Sequence, residues 1–211
     1  MTRRLKRKVE LGLTAVIAGL ICAGLPSSRA WAQAAPDVYR LNYYANAHTR
    51  TPDETVRIVN PTPTTLCADI YVFDANQNEQ ECCSCPITHN GLLTLSVNRD
   101  LTSNPFTAGT VLTNGVIKIV SAQISPSSAA VVCSAGPTTP TPAPELREWI
   151  THYPTALPAL LGALTATEEE FAKADLIDPE LSSYLAEPCN PKPTPAGTTP
   201  GVCTCGANTP D

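Results

Sequence analysis

The chain has 211 residues, a formal net charge of −5, nine cysteines, 21 prolines and one methionine. Beyond residue 32, eight Lys and Arg face 18 Asp and Glu, a charge of −10 that argues against nucleic acid as a partner. No apolar run there is long enough to span a membrane, so the composition describes a loop-rich, extracytoplasmic protein.

Residues 1–32 read as a secretory signal peptide. Arg3, Arg4, Lys6, Arg7 and Lys8 form a basic start, Leu11 to Leu25 an apolar run, and Ala30-Trp31-Ala32 a small-x-small cleavage signal before Gln33. A retained anchor is the rival reading, but fifteen residues of helix reach only ~22 Å against a hydrocarbon core of ~30 Å. Cys22 follows Ile21, which does not suit lipoprotein processing, and Lys6, Arg7 and Lys8 replace the apolar residues expected after the twin arginines.

From residue 36 to 135 short β-rich segments alternate with Asn, Pro, Asp and Gly, without helical periodicity. The expected strands are Val38 to Ala45, Thr55 to Val59, Leu66 to Phe73, Glu81 to His89, Leu92 to Asn98, Thr110 to Thr113 and Val116 to Ala122. About seven strands in this length suggest an immunoglobulin-like antiparallel β-sandwich. Asn90-Gly91 and Asn114-Gly115 are expected to close hairpins. In the third strand Leu66, Ala68, Ile70 and Val72 share the face assigned to the core.

The Pro/Thr stretch within residues 136–144 reads as an extended linker. Beyond it, residues 145–187 are expected to form short docked helices. Leu146, Trp149, Ile150 and Tyr153 fit one apolar helical face, with Trp149 as its anchor. Thr165 with Glu168, and Thr167 with Glu170, have capping-box spacing, and Asp178-Pro179 opens a further helix carrying Leu181, Tyr184 and Leu185. Residues 188–211 form a Cys/Pro-rich tail.

Loss of Cys22 with the signal leaves Cys67, Cys82, Cys83, Cys85, Cys133, Cys189, Cys203 and Cys205, an even set that suits disulfides in an oxidising compartment. Eight cysteines permit 105 connectivities, and short-range closure favours Cys189 with Cys203 or Cys205. On a strand, Cys83 and Cys85 share a face and Cys82 points away. Cys67, Cys82, Cys83, Cys85 and His89 are also candidate ligands for a soft metal, although their spacing matches no familiar zinc pattern.

Asp74, Asn76 and Asn78 begin like a calcium loop, but Glu79 and Cys85 stand where Gly and a bidentate Glu are required, so a polar turn is expected. His48, His89 and His152 read as surface histidines, and Glu168, Glu169 and Glu170 as the charged start of a helix. No Gly-x-Ser-x-Gly elbow, phosphate-binding glycine loop or helical histidine pair is present, and neither a catalytic residue nor a cofactor is assigned.

The segments VRIVNP, LCADIYVFDANQNEQECCSCP, NGLLTLSVN and GVIKIVSA, with ELREWITH and GVCTCG, resemble uncharacterised exported Cys-rich bacterial proteins, notably acidobacterial ones. That resemblance implies one linked unit and brings no activity. The leading expectation is a non-enzymatic secreted or cell-envelope module, structural or adhesive, whose partner is a protein or an envelope or matrix component. The alternative is a metal-binding or thiol-redox protein built on Cys82, Cys83 and Cys85. A third reading, a hydrolase on an unfamiliar scaffold, requires a pocket with two convergent titratable groups.

Overall fold

Alternation of apolar and polar residues builds two antiparallel sheets in the computed structural model, which describes residues 39–124, 133, 143, 145–154, 165–173 and 199–206. In chain order the strands are β1 Tyr39–Tyr44, β2 Thr55–Val59, β3 Leu66–Asp74, β4 Glu79–Ile87, β5 Leu92–Ser96, β6 Gly115–Gln123, β7 Arg147–His152, β8 Thr167–Glu170 and β9 Ala172–Lys173. The first sheet has the order β4-β3-β6-β1-β9 and the second β5-β2-β7-β8. Among the described residues no helix is long and apolar enough to cross a membrane.

The sheets share one core. Leu66, Ala68, Ile70 and Val72 of β3, the predicted face, join Ile117 and Ile119 of β6 against Val56, Ile58, Leu93, Leu95 and Ile150 from the second sheet. Burying a side chain of this size contributes about 1.5–3 kcal/mol, so these residues dominate the cohesion of the sandwich. The opposite face of β3, with Cys67, Asp69, Tyr71 and Phe73, is buried as well.

Six of the seven expected strands form, with ends shifted by no more than two residues; Thr110 to Thr113 does not. The fifth strand ends at Ser96 because a π-helical turn, Val97–Leu101, begins there, capped by the Ser96 side chain accepting from the Arg99 amide. Neither Asn-Gly pair closes a hairpin. Asn90-Gly91 connects β4 to β5, which belong to different sheets. Gly115 opens β6, where an added Cβ would lie 1.9 Å from the Phe73 carbonyl oxygen, so close backbone approach demands glycine.

The expected helix after residue 144 is instead strand β7, which pairs with β2 from Arg147↔Val59 to Thr151↔Thr55 and so belongs to the sandwich. Glu148, Ile150 and His152 are buried by alternation, while Trp149, the expected anchor, is only partly buried and lies opposite Arg57 and Glu170. The capping-box residues Thr167 to Glu170 form β8, and only the buried Phe171 separates it from β9. Ala143, within the expected linker, is buried and donates its amide to the Ser121 carbonyl. The expected signal peptide, the rest of the linker, the helix from Asp178, and Cys189 lie outside the described residues.

Charge is buried between the sheets. Arg40 of β1 meets Glu148 of β7 with Nε and Oε2 3.1 Å apart and side-chain exposures of 4% and 0%. Burial pushes the Glu148 carboxyl up to about 7, although Arg40 pulls it down. Burial likewise raises Asp69 to about 7 against its hydrogen bond from Ser84, Glu79 to about 8 against Lys118, and Glu81 to about 7 against the Asn104 amide.

Two predictions follow from these carboxyls. Their protonated forms are favoured in the folded state, so the native chain holds more protons than the unfolded one between about pH 4 and pH 8, and stability falls as pH rises through that window. Asp74 and Asp100 act in the opposite sense. Burial works against them, but hydrogen bonds to Asp74 from Asn78, Asn76 and Gln80, and to Asp100 from Arg99, Ser96 and Thr204, hold both carboxyls low. Their contribution is lost only in stronger acid. Thermal unfolding followed by circular dichroism should therefore give a higher Tm near pH 5 than near pH 8; a flat or reversed profile contradicts the assignment. Second, Arg40→Met should destabilise by about 3–5 kcal/mol near pH 8, because it strands a buried carboxylate, and the double change Arg40→Met/Glu148→Leu should recover much of that loss. Urea titration of the three proteins measures both terms.

Candidate functional site

Two constellations stand out. The first is made by β4 and the tail. As the last strand of its sheet, β4 presents an edge, and Val202 bridges to Cys82 in parallel register beside it. The Cys82 amide donates to the Gly201 carbonyl at 2.8 Å and the Cys203 amide to the Cys82 carbonyl at 3.2 Å. That register sets Cys83 opposite Cys203 and Cys85 opposite Cys205, and both pairs are disulfides with the same sequence separation of 120. The Cys83 and Cys85 sulfurs lie 4.0 Å apart, two neighbouring rungs of a ladder. A third disulfide joins Cys67 to Cys133, and Cys82 is disulfide-bonded too.

The tail is also gripped from its other side. Asn104 donates from Nδ2 to the carbonyls of Thr199 at 2.8 Å and Val202 at 3.0 Å, and its own carbonyl accepts from the Gly201 amide at 2.7 Å. Gly201 has φ +82°, and a Cβ there would fall within 2.4 Å of three atoms of the Phe106 ring, so no other residue fits. Thr204 donates its amide to the Asp100 carbonyl at 2.9 Å and its hydroxyl to Asp100 Oδ1 at 3.2 Å. An otherwise open sheet edge is thereby closed by backbone, side chain and sulfur together.

This arrangement replaces the expected closure of Cys189 onto Cys203 or Cys205, since both have other partners. The candidate metal ligands do not converge as thiolates. Cys67, Cys82, Cys83 and Cys85 are all oxidised, and His89 is exposed on the turn after β4, its Nε2 2.7 Å from Asn90 Nδ2. The clustering of Cys83, Cys85 and Cys205 sulfurs within 4.8 Å reflects the adjacent rungs. Asp74, Asn76 and Asn78 form the β3–β4 turn, where Asp74 Oδ1 accepts from the amides of Asn76 at 2.8 Å and Asn78 at 2.9 Å, hydrogen bonds that engage this oxygen within the turn.

The second constellation was not anticipated. One residue beyond the Thr55↔Thr151 pair, Glu54 and His152 meet at the end of the second sheet, with His152 Nδ1 and Glu54 Oε1 3.1 Å apart. Both side chains are buried, with exposures of 7% for His152 and 3% for Glu54. Glu54 is fixed by its neighbours: Oε2 accepts from the Ala45 amide at 3.1 Å and its carbonyl from the Val97 amide at 3.0 Å. Tyr43 stacks on the imidazole with centroids 4.1 Å apart and planes 5° from parallel. Partial burial and the carboxylates of Glu169 and Glu54 raise the Tyr43 hydroxyl, which stays protonated. His152 Nε2 is buried, makes no hydrogen bond among the described residues, and stands 3.7 Å from Oε2 of the half-exposed Glu169.

Tyr43, Glu54 and His152, but not Glu169, border a cavity of about 300 Å³ lined also by Asn46, Tyr153, Thr165 and Thr167. His152 is thus an interior residue, whereas His48 and His89 are exposed as expected. The three glutamates sit on β8 and diverge: Glu168 pairs with Arg57 at 2.6 Å and Glu169 approaches His152. Reading ELREWITH as a strand is the signal that would have found the site, because pairing with β2 then brings residue 152 opposite residue 54. No known protein family, curated protein or solved structure matches the chain.

Proposed function

We propose that the chain is a non-enzymatic module of the cell exterior, structural or adhesive, that acts by presenting rigid surfaces to a protein or an envelope or matrix component. The observation that carries this reading is the pair of parallel rungs, Cys83–Cys203 and Cys85–Cys205, on an otherwise open sheet edge. Buried bonds of this kind suit an oxidising compartment, in agreement with the signal-like residues 1–32 and the resemblance to exported bacterial proteins. Antiparallel sandwiches of immunoglobulin-like type serve widely as cell-surface recognition modules, and this reading places the chain among them.

The second reading, a thiol-redox protein, draws on the 4.0 Å approach of two disulfides, a distance across which a thiolate freed from one rung can attack the other. Against it stands burial: Cys83, Cys85 and Cys203 are buried, and of the four cysteines in the two rungs only Cys205 is partly exposed.

Protein recovered from an oxidising compartment should show no alkylation of Cys67, Cys82, Cys83, Cys85, Cys133, Cys203 or Cys205 by mass spectrometry, and glutathione at physiological potential should leave it unchanged. Two or more reactive thiols would overturn the scaffold reading in favour of redox chemistry. The rungs should also be unequal in effect when removed singly and together. The first closes a loop of more than a hundred residues, worth about 4–5 kcal/mol in chain entropy, whereas the second closes only a few residues once the first exists. Cys85→Ser/Cys205→Ser should therefore lower Tm much less than loss of all four cysteines.

A further inference from the structure

We propose that His152 Nε2 and the Glu169 carboxylate bind a divalent transition-metal ion, with Glu54 orienting the imidazole from behind. A carboxylate only accepts, so the contact with Glu54 Oε1 places a proton on Nδ1, and in the neutral ring the lone pair is then on Nε2. A histidine held in this tautomer by a carboxylate is the arrangement that orients imidazole for metal binding and raises its basicity.

Two approaches to the ring are closed. Tyr43 covers one face at 4.1 Å, and Glu54 occupies the Nδ1 side. Nε2, buried and without a hydrogen bond among the described residues, is open to a ligand. Leaving such a buried atom unsatisfied is costly, and a coordinated ion removes that penalty.

Distance and chemistry agree. Nε2 and Glu169 Oε2 are 3.7 Å apart, and one ion with bonds of about 2.0–2.2 Å to each spans that gap at an open angle. Glu169 is 56% exposed, so its carboxylate can adjust. Imidazole with carboxylate selects zinc, copper or nickel over calcium and magnesium, which prefer all-oxygen sets. A cavity of about 300 Å³ lined by His152 and Glu54 lies beside the ring and can hold water near the ion. With two protein ligands this is an open site, distinct from the disulfide-bonded sulfurs and independent of the scaffold role.

The test uses the oxidised protein with Zn²⁺ alone, by calorimetry and by ¹⁵N NMR of the histidine rings. One zinc per chain should bind, shifting the Nε2 resonance of His152 while Nδ1 keeps its proton. His152→Gln and Glu169→Gln should each weaken binding at least tenfold, and Glu54→Gln, which touches no metal, by about 10–100-fold. His48→Ala/His89→Ala should have no effect. Absence of zinc uptake, uptake unchanged by Glu169→Gln, or an unmoved His152 Nε2 resonance overturns the proposal. The exposed Glu169 and the NMR signature of the unmodified protein keep the test decisive even if His152→Gln does not fold.

Discussion

The parallel pairing of residues 83 and 85 with residues 203 and 205 is the constraint on which the rest of this structure hangs. A single disulfide fixes a distance; two at alternate residues on facing strand segments fix a direction and a register. Once Cys83 and Cys85 are tied, Val202 must lie beside Cys82, Gly201 beneath the Phe106 ring, and Thr204 against Asp100. The loop around Asn104, which has no regular secondary structure of its own, is ordered by the segment it clasps. Sulfur chemistry therefore organises backbone that β-pairing alone would leave open.

The buried part of the molecule holds charged and polar side chains as well as apolar ones. Arg40 with Glu148, Glu54 with His152, and the carboxyls of Asp69 and Glu81 are all withdrawn from water. Such groups contribute little net stability and leave few alternatives, because any slip of register strands a charge in the core. Arg40 and Glu148 lie on different sheets, so their pairing fixes how one sheet sits over the other. Apolar contacts supply cohesion and buried charges select among arrangements that cohesion alone would leave nearly equal.

Much of the β-rich half is legible in the sequence because alternation with period two is unambiguous there. The inward face of β3 and the opposed orientation of Cys82 against Cys83 and Cys85 follow from it directly. The sequence Leu146 to Tyr153 defeated the same logic, since its apolar residues fit a helical stripe while Glu148, Ile150 and His152 fit a strand only if two polar residues are buried. Local pattern cannot know that Arg40 and Glu54 wait to receive them. For the same reason His152 reads as a surface residue until β2 and β7 are paired. The tail motif Cys203-Thr204-Cys205 mirrors Cys83-Ser84-Cys85, a likeness of spacing visible in the sequence, but 120 residues separate them and only the fold brings them together.

That separation bears on how the molecule is made. The sulfur partners of the β4 edge follow 120 residues later, so neither rung can close until the intervening chain has been made. Exchanging the two partners, Cys83 with Cys205 and Cys85 with Cys203, would reverse the tail and tear Gly201 from its only permitted position under Phe106. Which cysteines pair is thus a question of register, and the close seat of Gly201 under the aromatic ring favours the observed one.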